Sequence, residues 1–236
     1  MTSNMDIRIL ELIEGAKRAE GLTVIIDVFR AFSLECYLYA RGAKEILPVG
    51  DINQAFALKR EDESRVLIGE RGGKKCEGCD FGNSPSQTEG FDFTGRTVVH
   101  TTSAGTQGVA GAVNASEIIT GSLVNARAIA SYIRMRAPEV VSLVAMGTDG
   151  VRSAQEDVLC AEYIRGLLGG GEMPDMPARI AKLRAEDGSK FFVKETQEIF
   201  PERDFAMCVD VDRFPFVLRI ERDGAGRAVS RRIDLA

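Results

Sequence analysis

Short, almost continuous apolar runs alternate along the chain with longer stretches in which apolar residues recur every three or four positions. Leu22–Val28 (LTVIIDV) is the first such run, and near-continuous apolarity over so few residues predicts a strand covered on both faces. The stretch after it, LECYLYARG, has helical spacing and stops at Gly42. Glu45–Val49, Ser64–Ile68, Arg96–Thr101, Glu117–Thr120 and Val140–Val144 repeat the strand pattern, and QGVAGAV, LVNARAIASYIRMR and EDVLCAEYIRGLL the helical one. Strands that alternate with helices need crossover connections. The predicted architecture is therefore α/β, a mostly parallel sheet flanked by helices in three layers. Such sheets bind ligands in the crevice beyond the C-terminal ends of their strands.

Gly169–Pro177 (GGGEMPDMP) is the clearest break in the pattern, and charge rises after it. Strands near Phe205–Val211 and Phe216–Glu221 predict a small C-terminal β-containing appendage with a hairpin-like form. Residues 1–168 then read as the α/β core, and 169–236 as a segment completing the same domain.

Composition narrows the function. With 44% apolar and 28% charged residues among 236, the chain has the makings of a buried core. Its net charge of −5 argues against partners held by bulk positive charge, such as nucleic acid or an anionic membrane, but a few local arginines suffice for a small anion. No run approaches the ~20 apolar residues of a membrane span. The N-terminal MTSNMDIRILELIEG carries acids within its apolar run and lacks a signal-peptide pattern, so five cysteines read as reduced thiols in a cytoplasm. A homo-oligomer is compatible with everything in the sequence. With one histidine and no tryptophan, a Ser-His-Asp site or a multi-histidine metal site would have only His100 to use. On its apolar strand, His100 reads as a core residue.

The candidate chemistry sits at strand ends and helix starts. Asp27 closes the first strand and Arg30 and Ser33 follow at three-residue intervals; a carboxylate there suits a metal ligand or nucleophile, and Arg30 suits phosphate or carboxylate, with a capping Asp27 paired with Arg30 as the lesser alternative. Glu70 and Arg71 lead into a glycine-rich loop that ends in Asn83-Ser84-Pro85, read as a helix start with Ser84 as N-cap and Pro85 at N1. Free amides in such a turn favour an anion. Cys76-x-x-Cys79 within the loop lacks a second pair at ligand spacing, and reads as packed thiols before zinc or redox chemistry. Thr101, Thr102, Ser103, Gly105 and Thr106 form another turn with hydroxyls and amides for phosphate oxygens, and Ser122 with Asn125 repeats it. Ser153-x-x-Glu156 matches a capping box. Asp157 shares a helical face with Cys160, Ala161, Ile164 and Leu168, so its charge needs a compensating cation or arginine. Relief of repulsion among these acids predicts an Asp157→Asn protein at least as stable as wild type without metal. Jointly the residues describe a pocket with acids for a hard cation, which Mg²⁺ fits without histidine, and with donors for a phosphate ester.

Taken together, IDVFRAFS at 26–33, GERGG with FGNSP at 69–85, TTSAGT at 101–106, TGS with Asn125, and EDVLCA at 156–161 resemble the 2-phosphosulfolactate phosphatase family of coenzyme M biosynthesis. The resemblance covers most of residues 22–168. It implies a Mg²⁺-dependent phosphohydrolase that converts 2-phospho-3-sulfolactate to sulfolactate and phosphate. It implies Asp27, Arg30, Glu70 and Arg71 as catalytic residues, and Asp27, Glu156 and Asp157 at the metal. Ser33, Asn83, Ser84, Thr101, Thr102, Gly105, Thr106, Ser122 and Asn125 become substrate and phosphate contacts. Ala104 stands where the family usually has Asn, and Phe32 where a small hydroxyl residue is usual. The rival readings are a non-catalytic binding protein for anionic metabolites on a degenerate phosphatase scaffold, and a thiol-redox or zinc protein using Cys76 and Cys79.

Overall fold

The apolar runs form one ten-stranded sheet in the computed structural model, which describes residues 5–235. In chain order its strands are β1 (Asp6–Glu11), β2 (Gly21–Ile26), β3 (Glu45–Pro48), β4 (Val66–Arg71), β5 (Lys74–Lys75), β6 (Thr97–Thr101), β7 (Ala115–Gly121), β8 (Val140–Ala145), β9 (Phe216–Arg222) and β10 (Ala228–Asp234). The helices are α1 (Leu12–Arg18), α2 (Ala31–Ala40), α3 (Ile52–Glu61), α4 (Gly105–Gly111), α5 (Ala126–Arg136), α6 (Gln155–Leu167), α7 (Met176–Ala185) and α8 (Glu202–Cys208). The expected strands and helices are present within a few residues. The acid-bearing N-terminal run proves to be β1, parallel to β8, followed by α1; its first four residues lie outside those described. The α3 helix, which the apolar pattern leaves unmarked, is capped by Asp51, whose Oδ1 accepts the Asn53 and Gln54 amides.

The spatial order is β1-β8-β2-β7-β9-β10-β3-β6-β4-β5. β1, β8, β2 and β7 are mutually parallel, as are β3, β6 and β4. The antiparallel hairpin β9–β10 stitches the two sets together, β9 against β7 and β10 against β3. The C-terminal β unit thus lies in the middle of the sheet, and β10 is its second strand. The strand expected near Phe205–Val211 is instead helix α8 and a turn. Pro201 precedes that helix, and Phe205 and Cys208, three apart, both face inward, a helical rather than an alternating spacing.

Three antiparallel steps make the two parallel sets run in opposite directions, so in a flat sheet their C-terminal ends would lie on opposite edges. β2 and β6 stand five places apart in the order, roughly 24 Å at about 4.8 Å per step. Yet Asp27, just after β2, accepts a hydrogen bond from the Gly105 amide, just after β6, at 2.9 Å. Twist of about 20–25° per step accumulates over that distance and turns the two sets of ends toward one another. The crossovers do the rest: α2 carries the chain from one set to the other, α4 carries it back, and both start at the same place. Ala31–Tyr39 of α2 are all buried, as a helix apolar on every side must be. It ends at Gly42, in the left-handed region with φ 89°. The largest apolar cluster packs β2, β7 and β8 against α5, α6 and the C-terminal Leu183, Phe191 and Phe205.

No helix among the described residues is long and apolar enough to cross a membrane.

Candidate active site

Where the two sets of strand ends converge, a cleft of about 230 Å³ opens. Asp27 and Arg30 reach it from the end of β2, Glu70 with Gly72 and Gly73 from β4, Ser103 and Ala104 from β6, and Glu156 and Asp157 from the start of α6. Lys190 and Phe200 close it from the C-terminal segment.

Its floor is acidic and buried. Asp27 Oδ1 accepts the Ala31 amide at 3.1 Å, and Oδ2 the Gly105 amide at 2.9 Å. A Cβ on residue 105 would lie 2.8 Å from Asp27 Oδ2 and 3.0 Å from the Phe32 ring, so only glycine lets this carboxylate meet that amide. Asp157 spans the ends of β2 and β8, taking the Val28 amide on Oδ1 at 2.7 Å and the Gly147 amide on Oδ2 at 2.8 Å. Glu156 is buried, and its Oε2 has no partner. Burial pushes Asp27 up to about 6; the Ala31 and Gly105 amides oppose it, and the nearby Glu70 charge adds to it. Burial likewise lifts Glu156 to about 7 against the pull of Lys190, and holds Asp157 well above the carboxylate range with the charges of Asp27 and Glu156.

The capping box expected at Ser153 and Glu156 does not form. Ala154 occupies the N-cap, and the Ser153 hydroxyl donates to Glu11 instead. Glu156 is thereby left aimed into the cleft. The stability expected of Asp157→Asn has an opposing cost: each oxygen accepts a backbone N–H, so an amide must turn its NH₂ against one of them, at about 1–3 kcal/mol.

Glu70 organises the loops. Its Oε1 accepts the Ser103 amide and its Oε2 the Gly73 amide, both at 2.7 Å. Arg30 lies along the wall with its charge met: Nη1 donates to Asp204 and to the Ile199 carbonyl, each at 2.8 Å, and Nη2 to the Gly73 carbonyl at 3.1 Å. Asn83 Oδ1 pairs with His100 Nε2 at 3.3 Å, and His100 Nδ1 with Glu35 at 2.9 Å, so the buried histidine is a satisfied core residue that fixes Asn83 at the cleft.

The other sequence candidates lie behind this wall. Arg71 braces strand ends through Thr101 Oγ1 and the Glu70 and Gly50 carbonyls. Thr102 and Thr106 bond to each other's hydroxyl and backbone groups. Ser33 bonds to Ser122 and to the Val28 carbonyl, and Asn125 Oδ1 accepts the Ser122 amide. Ser84 accepts the Gln87 amide as a cap would, but in a run of turns rather than the expected helix, and it donates to Asp204. The structure therefore gathers Asp27, Arg30, Glu70, Asn83, Glu156, Asp157 and the Gly105 amide at the cleft, and uses the remaining hydroxyls to hold its backbone.

The sequence profile of the 2-phosphosulpholactate phosphatase family matches residues 7–223. The chain belongs to this family. It is 30% identical over 212 residues to a probable 2-phosphosulfolactate phosphatase of Bacillus subtilis, covering 89% of this chain and 91% of that protein. It is 41% identical over 165 residues to one of Carboxydothermus hydrogenoformans (70% and 68% covered), and 42% over 148 residues to one of Caldicellulosiruptor saccharolyticus (61% of each).

In this member of the phosphatase family, the Ser103 offered with its turn does line the cleft, while Asp204, Lys190 and Phe200 were not foreseen. Only the rise in charge after Gly169–Pro177 hinted at that segment. A hard cation fits the acids on one observation, the unpartnered buried Oε2 of Glu156 beside two further carboxylates. Among the described residues no three acidic, His or Cys groups stand close enough to form a metal cage; Mg²⁺ in general keeps several waters and takes one or two carboxylates plus phosphate. The five cysteines are free. Burial raises the Cys79 thiol to about 11, unsuited to a thiolate ligand or nucleophile. The Cys76→Ser, Cys79→Ser double variant should keep turnover per folded molecule and lose on the order of 1 kcal/mol of stability. Stoichiometric zinc in the purified protein, or a folded but inactive double variant, would contradict this.

Proposed function

We propose that the cleft hydrolyses the phosphate monoester of a small hydroxy acid, with 2-phospho-3-sulfolactate, cleaved to sulfolactate and phosphate, as the leading substrate and Mg²⁺ as cofactor. The reading rests on three carboxylates buried where the two strand sets converge, each lifted chiefly by its burial, with the Asp27 charge adding to the shifts of Glu156 and Asp157. Such a cluster must either hold protons or bind a cation, and a bound cation keeps it ionised at neutral pH. Asp27, Glu156 and Asp157 would hold Mg²⁺, which when bound supplies charge for the phosphoryl oxygens. The chain's own part is positioning. Asp157 ties the β2 and β8 ends together, Glu70 clamps the glycine-rich loop to the Ser103 turn, and the His100-anchored Asn83 presents its amide to a substrate oxygen. Five unbridged cysteines favour a cytoplasmic setting for this chemistry.

Phosphate release from a panel of phosphorylated hydroxy acids tests the reading. Release is expected with Mg²⁺ or Mn²⁺, with none in EDTA and recovery when metal is restored. Full activity in chelator would remove the metal. No release from any ester, alongside tight binding of one, would favour a non-catalytic anion-binding protein.

A further inference from the structure

Substrates of the proposed class bring at least one acidic group besides phosphate, and the cleft floor is itself acidic. The two arginines that sequence reasoning offered as anion clamps are committed elsewhere. Arg30 is neutralised by Asp204 at 2.8 Å, and Arg71 braces Thr101 behind the wall. Two other cations line the cleft and form no ion pair or side-chain hydrogen bond among the described residues: Lys190, from the turn after α7, and Arg152, from the loop after β8. The Lys190 ammonium lies 5.8, 5.7 and 5.5 Å from the ring centres of Phe29, Phe191 and Phe200. Such a shelf steadies a cation by its ring faces without neutralising it; the charge acts on Glu156 from a distance, and the ammonium keeps its donors for an anion in the cleft. Arg152 is anchored by its backbone alone, its carbonyl accepting the Thr148 amide at 2.8 Å while its side chain is exposed.

We propose that Lys190 on its aromatic shelf, with Arg152 on the same cleft, binds the second anionic group of the substrate, a sulfonate or carboxylate, and so selects phosphate esters that carry one. The inference rests on the phosphatase reading above and names the specificity of that same cleft. The acids take the phosphate end through the cation, and the two free cations take the tail. A tail without charge leaves Lys190 unpaired and forgoes its charge-assisted contact. The C-terminal segment is thereby a specificity element laid over a core that carries the chemistry.

Two measurements test this. In the first, kcat/KM is compared for 2-phospho-3-sulfolactate and for a neutral-tailed ester, glycerol 2-phosphate, in wild type and Lys190→Met. The variant should lower the preference for the anionic tail about ten-fold or more, mainly through KM, with Lys190→Arg restoring part of it and Arg152→Met adding a smaller loss. Equal loss on both esters, or no loss on either, would overturn the proposal. The second reads binding without turnover: calorimetry with 3-sulfolactate should give an affinity that Lys190→Met weakens about ten-fold and that salt weakens in parallel. If wild type hydrolyses no ester but binds sulfolactate through Lys190, the phosphatase reading fails and this one stands. Binding that Lys190→Met leaves unchanged sinks this one alone.

Discussion

Asp27→Asn is expected to lower turnover by a factor on the order of 10² or more, the scale of removing a preorganised electrostatic group from an active site. Asp27 lies at the convergence of both strand sets, and its charge has no cation among its direct partners, only the Ala31 and Gly105 amides. The substitution also sets an NH₂ against one of those amides, which costs about 1–3 kcal/mol. Against a typical stability of about 5–15 kcal/mol that leaves the variant folded, so the loss should appear per folded molecule, checked by circular dichroism beside the phosphate assay. Glu156→Gln separates charge from scaffold. Its Oε2 bonds to nothing, and the carboxyl's backbone contact is with its own N–H; an amide with its NH₂ at the Oε2 position keeps that contact, and with the capping box absent the variant should lose activity while keeping or gaining stability. Undiminished turnover in a folded Asp27→Asn protein would remove Asp27 from the chemistry.

The metal-free protein should become less stable as pH rises from about 5 to 8. Burial places Asp27 at about 6 and Glu156 at about 7, above their ordinary values of 3.8 and 4.5. A group whose pKa is raised on folding favours the folded state while protonated in both states, below about pH 4. It gives up that contribution as pH climbs through the folded pKa, because the unfolded chain has already shed the proton. Shifts of about two units or slightly more correspond to something on the order of 3 kcal/mol for each group, lost across the window from about pH 4 to 8. Urea unfolding in EDTA at pH 5 and pH 8 measures it. Mg²⁺ should restore far more at pH 8 than at pH 5, and Glu156→Gln should flatten its share of the slope. A metal-free protein that is more stable at pH 8 than at pH 5, or one indifferent to Mg²⁺ at pH 8, would refute the picture of clustered acids awaiting a cation.

Much of the site was legible because its main residues sit where local pattern reports directly. Asp27, Glu70 and Asp157 each end a strand or start a helix, and each interrupts an apolar run whose period identifies the element. The inward face of Asp157, Cys160, Ala161 and Ile164 was correct, since helical spacing alone decides which residues share a side. The capping reading of Glu156 failed because Ser153-x-x-Glu156 satisfies the local rule for a cap, while the Ser153 hydroxyl is drawn away by Glu11, 142 residues distant. Thr102, Thr106, Ser33 and Ser122 were misplaced for a related reason. Hydroxyl-rich turns look alike whether they face a ligand or hold their own backbone, and only the neighbours decide.

By itself, then, the sequence determined the elements, the α/β class and the acids at the strand ends, because apolar period, turn residues and breaks act within a few positions. Tertiary structure alone decided where the C-terminal hairpin inserts, for strand pairing is chosen between segments more than 90 residues apart, as in Ile118 against Ile220. It also decided which arginine keeps its charge. Arg30 meets Asp204 across 174 residues of chain, a pairing no local spacing encodes, and Lys190 sits over three phenylalanines without an ion pair, its charge acting on Glu156 only from a distance. The twist that draws two oppositely directed strand sets onto one cleft belongs to the whole sheet. Each step contributes only tens of degrees, and its effect appears when all the strands are in place.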